Sequence, residues 1–82
     1  MLFTDVSQPD EVEIFIRNCN EFLKKGGYGM IAIKSRSIDV VKSPEQVYKE
    51  SVEKIKNAGY KIIELIDLEP YEKDHCLIVV QR

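Results

Sequence analysis

The 82 residues contain no tryptophan, one histidine, two cysteines and three prolines. Each scarcity excludes something. Cys19 and Cys76 lie far apart, with no CxxC or Cys/His spacing around them. A structural zinc site takes four ligands, and the two cysteines with His75 make three, so no metal is expected. Both cysteines sit in apolar-periodic segments and read as buried thiols. No apolar run approaches the ~20 residues that span a bilayer. Met1-Leu2-Phe3-Thr4-Asp5 lacks the basic region, long apolar core and cleavage site of a secretory signal. The expectation is a soluble, cytoplasmic chain with no membrane partner. Charge of one sign is lacking too: twelve Lys+Arg against fourteen Asp+Glu give −2. Net charge therefore advertises no nucleic-acid surface.

What is present is globular: 44% hydrophobic and 32% charged residues, enough for one domain spanning residues 1–82. A chain of this size buries only roughly 60–65% of its unfolded surface, which leaves a thin margin of stability. An apolar stub, Met1-Leu2-Phe3, leads into Thr4-Asp5-Val6 and reads as a strand. Ser7-Gln8-Pro9-Asp10 predicts a helix start, with a polar cap, Pro in the first turn and the acids Asp10, Glu11 and Glu13 favoured by the dipole. Val12, Phe15, Ile16, Cys19, Phe22 and Leu23 form one amphipathic stripe. Lys24-Lys25 would place cations on the last carbonyls before Gly26-Gly27 stops the helix. Tyr28 to Ile33 is nearly all apolar and predicts a strand buried on both faces. Ser43-Pro44-Glu45-Gln46 is a capping box opening a second helix, whose apolar face is Val47, Tyr48, Val52, Ile55 and Ala58. Tyr60–Leu68 and His75–Val80 predict two further strands. The link between them is too short for a crossover helix, so the last strand runs antiparallel to its predecessor.

The order β-α-β-α-β-β predicts an α/β fold with a mixed four-stranded sheet, and two crossovers suggest three layers. Functional groups of such sheets gather at the carboxyl ends of the strands. Those ends carry Asp5, Lys34-Ser35-Arg36 and the Glu69–His75 connection. Alone, Asp5 is ordinary loop or capping chemistry, Lys34 a snorkelling surface lysine and His75 a turn histidine. Together they suit deprotonation of a hydroxyl, with a lysine of lowered pKa taking the proton and an aspartate orienting it. There is no G-x-S-x-G, no Walker loop and no G-x-G-x-x-G. Gly26-Gly27-Tyr28-Gly29 joins a helix to a strand, the reverse of a phosphate-cradling loop.

D-V-S-Q-P at Asp5–Pro9, F-L-K-K-G-G-Y-G-M-I-A-I-K-S-R-S-I-D-V at Phe22–Val40 and L-E-P-Y-E-K-D-H at Leu68–His75 resemble the fibrillarin family in its archaeal form. The resemblance covers essentially the whole chain and the carboxyl-terminal half of that family's methyltransferase domain. It implies half of a Rossmann-like fold and an S-adenosylmethionine-dependent RNA 2′-O-methyltransferase. Such enzymes work on rRNA or tRNA with C/D-box guide RNA, a Nop-type scaffold protein and a kink-turn-binding protein. Asp5, Lys34 and His75 match three members of the family's Lys-Asp-Lys-His tetrad. Asp5 and Gln8 would lie at the cofactor's edge, and Lys34 and Arg36 near the RNA.

The first tetrad lysine, the glycine-rich turn for the cofactor and the acid for its ribose all belong to the family's other half. The resemblance therefore implies that these 82 residues alone do not methylate RNA and bind S-adenosylmethionine weakly or not at all. The Leu2–Val6 strand would then be an open apolar edge, inviting a two-fold homodimer. The alternatives are a non-catalytic module that contacts scaffold or RNA through Arg36, Lys42 and Lys24-Lys25, and an enzyme restored by a second chain carrying the other half.

Overall fold

The computed structural model describes residues 1–82. The chain folds as β1 (Leu2–Thr4), α1 (Glu11–Phe22), β2 (Tyr28–Lys34), α2 (Ser35–Ile38), α3 (Pro44–Asn57), β3 (Lys61–Asp67) and β4 (His75–Gln81). The four strands form one sheet in the order β1-β2-β4-β3. β1 and β2 are parallel, and β4 runs antiparallel to both β2 and β3. The mixed sheet and its reversed last strand agree with the sequence pattern.

The expected three layers do not form. Two parallel connections, β1 to β2 and β2 to β3, step across the sheet in the same direction. Crossovers of one hand then place both helices on the same face. α1 packs on β1, β2 and α3, while α3 packs on β3 and β4. Lys54 on α3 and Glu13 on α1 join the helices at 2.6 Å. The result is two layers, with a core of Val12, Phe15 and Cys19 from α1, Val47 and Ile55 from α3, and Ile31, Ile33, Cys76, Ile78 and Val80 from the sheet. Both cysteines are free thiols in this core, and burial pushes the Cys76 thiol up to about 12.

Strand alternation settles the other face. Gly29, Ile31 and Ile33 point under the helices, so Met30 and Ala32 point away, opposite Val79 and Leu77. Met30, Ala32, Leu77 and Val79 are only partly buried, and Phe3 is 55% exposed. β2 is thus covered on one face, not two. No helix is long and apolar enough to cross a membrane.

Helix termini depart from expectation in instructive ways. Ser43 caps α3 as read: its Oγ accepts from the Gln46 backbone N–H at 3.3 Å, and Pro44 follows. The return half of the box is missing because the Gln46 side chain donates to Glu50 at 2.8 Å. α1 starts at Glu11 with Asp10 as N-cap and no side-chain cap. At its other end, Lys24 and Lys25 are exposed, and the carbonyls of Cys19, Asn20 and Leu23 accept instead from the Arg82 guanidinium. Phe22 is 67% exposed. At ~100° per residue it lies on the α1 flank away from Glu13 and α3, beyond the packed stripe.

Candidate functional site at the carboxyl edge of the sheet

β1 and β2 end, and β4 begins, at the same edge of the sheet. Lys34 closes β2 and is the register partner of His75, which opens β4. The next pair, Ser35 and Asp74, is a hydrogen-bonded one, with the Ser35 N–H donating to the Asp74 carbonyl at 2.9 Å. Lys34 and His75 are therefore a non-hydrogen-bonded pair, the type in which facing Cα atoms are only about 4.5 Å apart. Both follow the parity of Met30, Ala32, Leu77 and Val79, so both side chains stand on the uncovered face. Lys34 is exposed and His75 half-buried.

His75 Nδ1 lies 2.8 Å from the Lys73 carbonyl oxygen. A carbonyl only accepts, so Nδ1 carries the proton of this bond and the neutral ring leaves Nε2 as an acceptor. Asp74, between them, has a left-handed backbone with φ of 64°. Its carboxylate accepts from Arg36 Nε at 3.0 Å, and its side chain is 10% exposed against 64% for Arg36. Arg36, read as an RNA contact, thus also ties the start of α2 to the turn before β4.

Asp5 leaves β1 on an exposed loop. The loop is held by a ring of bonds: the Gln8 N–H donates to the Val6 carbonyl at 2.9 Å and the Glu11 N–H to the Gln8 carbonyl at 3.1 Å. The Val6 N–H closes it on Glu11 Oε2 at 3.2 Å. Glu11 is 1% exposed, and its Oε1 has no partner. Desolvation, reinforced by the Asp5 charge and opposed by the Val6 bond, raises its pKa to about 7. Sequence reasoning treated Glu11 as a dipole acid. The overlooked signal is its spacing, four residues before Phe15 and eight before Cys19, on the buried row.

The basic groups do not merge into one surface. Lys42 is paired with Glu50 at 2.7 Å. Lys24 and Lys25 follow α1, which runs back against the strands, and so lie at the opposite edge from Lys34 and Arg36. The Gly26-Gly27 turn and the start of β2 lie at that far edge as well, with the Gly26 N–H donating to the Arg82 carbonyl at 2.8 Å. A cleft of about 190 Å³ opens between α1, α3 and the segment after α2, over Pro9, Val12, Ile38 and Val47. Asp5, Lys34 and His75 do not line it.

For the cofactor implied by the resemblance, Asp5 and Gln8 provide exposed polar side chains on one loop. They fit one wall of a pocket. No strand-to-helix glycine turn stands at this edge, and β1 is the outermost strand, so the order reversal that makes a crevice is not within these residues.

Parallel β1, β2 and β3, with the last strand inserted antiparallel between β2 and β3, make up part of a Rossmann-like methyltransferase fold. The family model described as Fibrillarin matches residues 1–82, and the chain belongs to the fibrillarin family. The fibrillarin-like rRNA/tRNA 2′-O-methyltransferase of Methanocaldococcus jannaschii is 53% identical over 79 residues, 96% of this chain and 34% of that protein. A solved Methanococcus jannaschii fibrillarin, a pre-rRNA processing protein, superposes with a TM-score of 0.93 at 53% identity, over 96% of this chain and 34% of that one. A fibrillarin solved in complex with Nop5p gives 0.91 at 35% identity, covering 98% and 38%. Aeropyrum pernix fibrillarin, solved with natively bound S-adenosyl-L-methionine, gives 0.77 at 40%, covering 96% and 34%. The chain thus spans about a third of the length of these relatives.

Proposed function

We propose that these residues are the carboxyl-terminal portion of a fibrillarin-like rRNA/tRNA 2′-O-methyltransferase and supply Asp5, Lys34 and His75 to its active site. The observation that carries this reading is the Lys34–His75 pair, cross-strand neighbours on the uncovered face at the carboxyl edge. S-adenosylmethionine, when bound, supplies the electrophilic methyl group. Lys34 Nζ accepts the proton of the ribose 2′-hydroxyl, and the Asp5 carboxylate steadies the ammonium that results. His75 presents Nε2 beside the same ribose. Arg36, oriented through Nε by Asp74, keeps its terminal nitrogens for a phosphate oxygen. Asp5 and Gln8 border the cofactor, and the rest of the family's chain supplies the enclosing glycine turn and the remaining lysine. Without that part the chain neither holds the cofactor firmly nor transfers methyl groups. The partners proposed are C/D-box guide RNA, a Nop-type scaffold, as the Nop5p complex of the relative suggests, and a kink-turn-binding protein.

The test is a chimera in which the amino-terminal part of the Methanocaldococcus jannaschii relative precedes this chain. It is assembled with guide RNA and scaffold and given labelled S-adenosylmethionine. Methyl transfer to the guided 2′-hydroxyl, absent from the 82 residues alone, is the expected result. A chimera that folds and binds cofactor but transfers nothing would sink the reading.

A second reading has its own observation. β1 is an edge strand with an exposed Phe3 and no neighbour on its outer side. Two copies joined there would continue the sheet across a two-fold axis. Light scattering of the chain should give twice the monomer mass, and Phe3→Lys should return it to monomer. A monodisperse wild-type monomer at high concentration would rule the dimer out.

A further inference from the structure

We infer that Asp74 is a positioning residue: anchored by Arg36 and by the Ser35 backbone, it aims the Lys73 carbonyl at His75 Nδ1 and so fixes which imidazole nitrogen faces the substrate. The inference rests on the role proposed above for His75, and it concerns a residue outside the tetrad.

The geometry runs through four adjoining contacts. His75 Nδ1 meets the carbonyl of Lys73, two residues earlier in the chain, at 2.8 Å. The peptide plane carrying that carbonyl precedes Asp74, so its direction is set by the Asp74 φ of 64°. An L-residue enters this left-handed region only at an energetic cost, least for Asp and Asn, and needs surroundings that hold it there. Two groups do so. The Ser35 N–H donates to the Asp74 carbonyl at 2.9 Å, and Arg36 Nε donates to its carboxylate at 3.0 Å. The Glu69 carboxylate reaches the Asp74 N–H at 3.5 Å. Ser35 and Arg36 directly follow Lys34, and Asp74 directly precedes His75. The same clip therefore fastens the two chain segments that bear the facing pair.

Without the clip, the turn would relax, the Lys73 carbonyl would swing away, and the imidazole would revert to the Nε2–H tautomer that the free ring prefers. Nε2 would then present a proton to the substrate side in place of a lone pair. A merely structural Asp74 would affect stability and leave the tautomer alone.

The chain has a single histidine, so ¹⁵N long-range correlation spectra of the 82-residue protein read His75 directly. The neutral wild-type ring is expected mainly as Nδ1–H. Asp74→Ala should shift the tautomer ratio toward Nε2–H by roughly fivefold, the equilibrium equivalent of one hydrogen bond. Arg36→Gln, at an exposed site that leaves the backbone intact, should shift it in the same direction and serves if Asp74→Ala fails to fold. Asp74→Asn, which tolerates the left-handed turn, should fall between. Folded variants that keep the wild-type ratio would overturn the inference. In the chimera, a shifted ratio with unchanged methyl transfer would remove His75 from the proposed mechanism yet leave this device standing. Loss of transfer in His75→Ala beside an unshifted ratio in Asp74→Ala would do the opposite.

Discussion

Lys34 and His75 face each other across β2 and β4, a direct register pair at the last position of one strand and the first of the other. They are 41 residues apart in sequence, and two features bring them together. β4 returns antiparallel because the link from β3 is too short to cross the sheet, and it inserts beside β2 instead of continuing outward. That insertion converts two chain-terminal features, a lysine after an apolar run and a histidine before one, into one local constellation.

In the chimera, Lys34→Ala should lower single-turnover methyl transfer by about 10²–10⁴-fold, the range for a positioned proton acceptor. Affinity for guide RNA should change little, because one exposed lysine is a small part of the phosphate contacts. His75→Ala should cost less. The double variant should fall short of the product of the two, since groups acting on one hydroxyl are not additive. Unchanged transfer in Lys34→Ala would remove the lysine from proton transfer.

Much of this was legible in the residues because the signals are local. Ser43-Pro44 marks the start of α3 by backbone chemistry alone, and the period of Val12, Phe15 and Cys19 marks α1. The number of layers was not legible, because it depends on the direction in which successive crossovers step, and β4's place between β2 and β3 is a long-range choice. Distance in sequence also hid the cap of α1. Lys24 and Lys25 are adjacent to its last turn, yet Arg82 occupies the carbonyls because β4 delivers it there. Glu11 was hidden by composition: an acid in a first turn fits the helix dipole, and only the packed loop shows it to be enclosed.

Glu11 gives the fold a pH dependence of definite sign. Its carboxyl is raised from 4.5 to about 7, so the folded state favours the neutral form. The cost of ionising it is absent below about pH 4.5, grows as pH rises toward 7, and is constant above. Glu11→Gln keeps an oxygen for the Val6 N–H and removes the charge. It should stabilise the chain by about 1–3 kcal/mol at pH 8 and by nearly nothing at pH 4. Urea unfolding across that range checks this, and parallel curves for the two proteins would refute it.

The glycines before β2 serve the turn, with no part in a phosphate cradle. A Cβ on Gly27 would sit 2.9 Å from the Lys24 carbonyl oxygen and 3.0 Å from Leu23 Cδ1. The carbonyl cannot withdraw without losing its 2.8 Å bond from the Gly27 N–H. Gly27→Ala should therefore destabilise by about 1–3 kcal/mol, the usual cost of forcing atoms into a filled space. In the chimera it should leave S-adenosylmethionine affinity unchanged. A variant that keeps its melting temperature and loses cofactor binding would reverse the assignment.

Arg82 fastens the far edge of the molecule. Its Nη1 donates to the carbonyls of Cys19 and Asn20, at 3.3 and 3.2 Å, and to that of Leu23. Its backbone N–H donates to the Gly27 carbonyl at 2.9 Å, and the neighbouring Gln81 amide donates to the Gly26 carbonyl at 3.0 Å. The guanidinium reaches the Asn20 and Leu23 carbonyls, adds a second bond to the Cys19 carbonyl that the Leu23 N–H already meets at 3.0 Å, and sits at the negative end of the helix dipole. Arg82→Met keeps the aliphatic stem and the backbone bonds, so its effect isolates the charged head. The expected loss is about 1–2 kcal/mol, between a single net hydrogen bond and a charge-assisted set discounted for exposure. Arg82→Lys should recover only part, because the lysine side chain is shorter and its ammonium stops short of the place Nη1 occupies. Amide exchange should quicken first at Cys19 to Leu23 in Arg82→Met, while the Lys34–His75 edge keeps its protection. Equal quickening at both edges would show that Arg82 supports the whole sheet and not the end of α1.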